Sequence, residues 1–238
     1  LDWFEIGLHV IIQMLLLFGK SMKMYPPEKD GFPARRKNLN RKMGMVSSIV
    51  TLTAVLGFAL SMILGSDSGS YLSSMFIAWG FVPLICSFAA LGGKDTKAVR
   101  YTAIAFAAVY TVLIMLVYFA QLTVIRLSYL NEQAAQILDY QNFGLFFSYD
   151  LLGYAFMSLA TFFIGLSIHA STAADRWLRT LLMIHGIFAI TCVVMPILGV
   201  FKPGMVGGDL TGVFVLEVWC AYFTPICILS FLYFRNQS

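Results

Sequence analysis

Asp150 and Glu217 are acidic residues set inside long apolar runs, Asp150 within residues 146–157 and Glu217 within residues 213–223. At helical spacing Asp150 shares a face with Tyr154, Ser158 and Thr161, and Glu217 lines up with Cys220, Thr224 and Cys227. Gln121 lies four residues from the end of a third apolar run. Glu5, His9 and Gln13 repeat at i, i+4 and i+8 in a shorter one, which also puts them on one face. Ionisable groups at membrane depth are expensive to keep, so they are the first place to look for function. Burial favours the uncharged acid, and an uncompensated carboxylate attracts cations. These residue types therefore suit proton uptake or the binding of a cationic group. Asp150 and Glu217 would hold the charge, with Tyr154, Gln121, His9 and Glu5 around them.

The bland readings are that Asp150 caps a helix starting near residue 150 and that Glu217 sits just after a helix start. His185 and His169 could face each other across a metal or haem site, but a hydrogen bond between helices is the simpler role for His185. The paired methionines Met22, Met24, Met43 and Met45 flank a basic segment that repels cations, so packing explains them better than copper does. No metal ligands are assigned, and no cofactor is expected. Cys86, Cys192, Cys220 and Cys227 lie in apolar runs without a CxxC pair, which argues against a disulfide framework or zinc knuckle. GxSxG, HExxH and P-loop patterns are absent. The last apolar run has no lysine for a retinal Schiff base.

The elements that must carry these residues follow from composition. The chain has 238 residues, 59% hydrophobic and 12% charged. A soluble domain carries roughly 25% charged residues, so the solvent here is lipid. A span needs roughly 20 apolar residues. Six windows qualify, 44–64, 71–91, 101–125, 145–168, 180–201 and 213–234, and a shorter stretch over 3–19 is a seventh candidate. The expected fold is an all-α bundle of six to seven membrane spans forming a single polytopic domain over residues 1–238. Counting six, the spans form two groups of three in opposite orientation, the layout of inverted-repeat transporters, but no residue-level similarity joins the two halves.

Charge supplies the orientation. Residues 20–43 hold Lys20, Lys23, Lys29, Arg35, Arg36, Lys37, Arg41 and Lys42, and alternate loops add Lys94, Lys97, Arg100, Arg176, Arg179 and Arg235. Only Arg126 and Lys202 fall on the other side. The positive-inside rule then makes the 20–43 loop and the C-terminus cytoplasmic. Trp3, Phe4, Tyr71, Tyr101, Trp177 and Tyr233 stand at span ends as expected interfacial aromatics. Residues 126–144 have the length for a short amphipathic helix over the outer face, and residues 203–212 read as a glycine-rich outer loop. Asp150, Glu217 and Gln121 come to a common depth roughly 6–8 Å below the outer boundary at the helical rise. Glu5 and His9 join them if 3–19 spans.

The net charge of +4 sits in loops beside the bilayer, where it meets anionic lipid headgroups and not nucleic acid. The leading expectation is a small transporter or ligand-binding protein in a bacterial cytoplasmic membrane, with an acidic outer pocket for a cation or proton. An accessory or sensory subunit docking a partner through the basic 20–43 loop is the first alternative, and a partner subunit or homo-oligomer fits the composition equally. A membrane-embedded lipid-modifying enzyme is the other, and a non-enzymatic role is favoured over it.

Overall fold

The computed structural model describes residues 32–127, 129–201 and 210–237. Two units are distinguished, residues 1–38 and residues 39–238. The α-helices of the described residues are α1 (Phe32–Ile63), α2 (Asp67–Leu91), α3 (Lys97–Ala120), α4 (Glu132–Leu138), α5 (Leu145–Ser167), α6 (Ala173–His185), α7 (Ile187–Ile197) and α8 (Leu210–Asn236). Among the described residues there is no strand. Six helical stretches are long and apolar enough to cross a membrane, with α6 and α7 together making one of them. The chain is a polytopic helical membrane protein. Glu5, His9 and the candidate span 3–19 lie outside the described residues, as do Lys202 and most of the glycine-rich loop.

Local chemistry sets the helix ends. Gly65, with φ of 64°, turns the chain after α1, and Ser66 caps α2 by accepting the Gly69 amide at 3.3 Å. Asn131 caps α4 through the Ala134 amide at 2.8 Å. Thr172 and Asp175 form a reciprocal capping box, Asp175 N–H donating to Thr172 Oγ1 at 3.1 Å and Thr172 N–H to Asp175 Oδ2 at 2.9 Å. That box starts α6 at Ala173 and not near residue 180 as the apolar run suggests, so His185 falls in the middle of the Ala173–Ile197 span.

Helix α5 is the centre of the bundle, packing most extensively on α3 and also touching α2, α6 and α7. Small residues permit close crossings. A Cβ on Gly80 of α2 would collide with the Thr51 hydroxyl of α1, and one on Gly44 of α1 would come to 2.6 Å from the Phe234 ring of α8. Most hydroxyls inside the spans are satisfied by their own helix, as with Ser48 to Gly44, Ser74 to Ser70 and Ser230 to Ile226.

Basic side chains gather at one end. Arg41 donates to the carbonyls of Phe234 (3.0 Å) and Arg235 (2.9 Å), which joins the first third of α1 to the α8 end. Arg100 reaches the carbonyls of Ala89 and Gly93 at the α2–α3 turn. The opposite, distal end holds the α1–α2 turn, α4 and the start of α5. Tyr101 (59% exposed) and Trp177 (64%) point outward as interfacial anchors should. Tyr71 (9%) and Tyr233 (6%) do not, because their rings pack inward on Tyr118 and Phe88.

Candidate functional site

The distal half of α5 carries Asp150, only 2% exposed although it lies within a helix starting at Leu145. A helix that begins five residues earlier removes the capping role for this acid. Oδ2 accepts the Tyr140 hydroxyl at 3.2 Å, whereas Oδ1 is buried without a partner. No basic side chain pairs with Asp150 among the described residues.

Aromatic rings enclose it. Tyr140 contacts Tyr71 (5.8 Å between centroids), Tyr118 (5.9 Å) and Phe147 (5.1 Å). Tyr71 and Tyr118 are themselves 5.3 Å apart. One turn deeper, Tyr154 stands between Tyr110 (5.8 Å) and Trp219 (5.5 Å), and the Tyr110 hydroxyl is a second buried group without a partner. Tyr140 lies outside the spans. Its burial, and secondarily the neighbouring acid, push its phenol well above the ordinary range, so it serves Asp150 as a donor.

Gln121 works at this end by holding backbone. Its Nε2 donates to the Leu138 carbonyl at 2.7 Å and its Oε1 accepts the Tyr140 amide at 3.2 Å. It also opens a π-helical turn, Gln121–Ile125, at the end of α3. Such turns recur at functional sites. Gln141 extends the clasp, its Nε2 donating to Asp67 Oδ1 and to Tyr71 Oη, each at 3.2 Å.

Glu217 stands apart. It is half-buried on α8, eighth in a helix that starts at Leu210, and Oε1 has no hydrogen-bond partner. No hydrogen bond among the described residues connects it with Asp150. Of the sequence candidates, Asp150, Tyr154 and Gln121 therefore come together, with Gln121 acting through Tyr140.

A second polar cluster crosses the bundle farther along α5. The Trp219 indole N–H donates to His185 Nε2 at 3.1 Å, and His185 Nδ1 lies 2.8 Å from Thr161 Oγ1. Thr161 already gives its hydrogen to the Ser158 carbonyl at 2.8 Å, so it must accept from His185. An indole cannot accept. His185 is thus the neutral Nδ1–H tautomer with both nitrogens occupied, tying α6 to α5 and α8. The interhelical hydrogen bond expected from sequence is present. With both His185 nitrogens engaged and His169 exposed after α5, the pair does not form a metal site here.

Sequence reading missed Tyr118, Tyr140 and Trp219. Tyr118 was recoverable, since it precedes Gln121 by three residues on one face. Tyr140 was not, because nothing local says that a loop residue turns inward.

No family model, curated protein or solved structure matches the chain. The class to which it belongs is polytopic helical membrane protein, and anything narrower rests on the site.

Proposed function

We propose that this protein is a small membrane transporter or ligand-binding protein whose working carboxyl is Asp150, taking up a proton or cationic group from the side opposite the basic loops. The observation that carries this is a fully buried acid that, among the described residues, has one oxygen unpartnered and no basic neighbour. Desolvation of an ionised carboxylate is far costlier than that of a neutral acid. A site of this kind holds either the neutral acid or a carboxylate with a bound cation, and exchange between the two couples charge to conformation. Tyr140 and the rings around it exclude water while the acid is neutral. Tyr154 extends the polar face inward, and Gln121 keeps Tyr140 in position. Glu217 has the chemistry of a separate acidic group on α8.

Potentiometric titration of the full chain in lipid nanodiscs tests this. The wild type should release a proton that D150N does not, while E217Q keeps it. Identical titration of wild type and D150N would end the reading.

A further inference from the structure

Tyr140 reaches Asp150 from the connection between α3 and α5, not from a spanning helix. Within that connection α4 has no buried residue. The segment is held to the spans by polar clasps, Gln121 on Leu138 and Tyr140, and Gln141 on Asp67 and Tyr71, and by the rings of Tyr140 and Phe143. A surface connection whose helix buries no side chain opens more readily than the bundle beneath it. The Tyr140 ring fills a box whose floor is Asp150 and whose walls are Tyr71, Tyr118 and Phe147. Were Tyr140 withdrawn, Oδ2 of a nine-tenths-buried acid would face a space the size of a phenol, lined by the Tyr71, Tyr118 and Phe147 rings. The combination of a carboxylate and aromatic rings suits an organic ammonium. A metal ion would need several further ligands, and no group of three His, Cys, Asp or Glu side chains is assembled among the described residues.

We propose that Tyr140 is a resident plug in a binding site for a small organic monocation. The ammonium of the ligand replaces the Tyr140 hydroxyl on Asp150, and its apolar body replaces the phenol ring against Tyr71, Tyr118 and Phe147. The proposal rests on Asp150 being the working carboxyl and adds the class of ligand. Entry requires the 131–144 segment to lift, so apparent affinity is reduced by the fraction of molecules in which it has done so.

The test measures binding of phenethylammonium and tetramethylammonium to the full chain in nanodiscs by calorimetry. Y140A should bind phenethylammonium about tenfold tighter than wild type or better, because the plug no longer competes. Y140A/D150N should lose that binding. Y140F keeps the ring and drops the hydrogen bond, so it should bind several-fold tighter than wild type, about threefold, and it serves if Y140A does not fold. Absence of ammonium binding to a folded Y140A, or Y140F no tighter than wild type, would overturn the plug. So would equal binding by Y140A and Y140A/D150N. If ammonium binding fails while D150N still loses its titrating proton, the plug falls and the working carboxyl stands. If D150N titrates as wild type, both fall.

Discussion

Helix α5 carries two buried polar clusters that differ in how completely they are satisfied. Around His185 each hydrogen has a destination, from Trp219 to His185 to Thr161 to the Ser158 carbonyl. Around Asp150 one carboxyl oxygen and the Tyr110 hydroxyl are left over, and the Tyr140 hydroxyl that donates to the acid comes from outside the spans. A satisfied network inside a membrane protein ties helices together, whereas a buried acid with spare acceptor capacity has something left to bind. The same helix thus presents a structural junction and a candidate working site.

The difference predicts opposite responses to mutation. His185→Ala strips partners from both Trp219 and Thr161 and should destabilise the bundle most, by about 1–3 kcal/mol, read by reversible unfolding in detergent. Its Trp219 emission should shift as the indole loses its acceptor. A His185→Ala protein as stable as wild type would erase the distinction between the clusters. Gln121→Ala releases two backbone groups of the α4 connection and should cost about 1 kcal/mol. Amide exchange should accelerate at Tyr140 and through α4, and leave the α3–α5 contact unchanged. Exchange confined to other regions would show that Gln121 does not hold the segment. Asp150→Asn keeps an acceptor for Tyr140 and should change stability least, by about 0.5 kcal/mol in either direction, while abolishing proton release. Strong destabilisation would make Asp150 a structural residue like His185.

Much of this molecule was legible in its residues. Apolar windows locate all six described spans, because lipid demands long uncharged helices whatever their packing. The Asp150, Tyr154, Ser158 and Thr161 face follows from helical periodicity alone. Lysine and arginine asymmetry brings Arg41 and Arg235 to one end, where the structure joins them through carbonyls of α8. Helix starts were less legible, since the Thr172–Asp175 box extends α6 into a polar stretch that hydropathy reads as loop. Side-chain direction was less legible still. Tyr71 and Tyr233 look like interfacial anchors by position, and only tertiary packing turns them inward. Tyr140 belongs to the same class, because its contact with Asp150 depends on the left-handed turn at Phe143 (φ 51°) and the tight approach of Gly144 to the Gln136 carbonyl.

The most direct measurement is the infrared difference spectrum between wild type and Asp150→Asn in lipid at neutral pH. A carbonyl stretch of a protonated carboxylic acid, present in wild type and missing in the variant, is the predicted result. An Asp150 that contributes only the bands of an ionised carboxylate, with no cation supplied, would contradict the account.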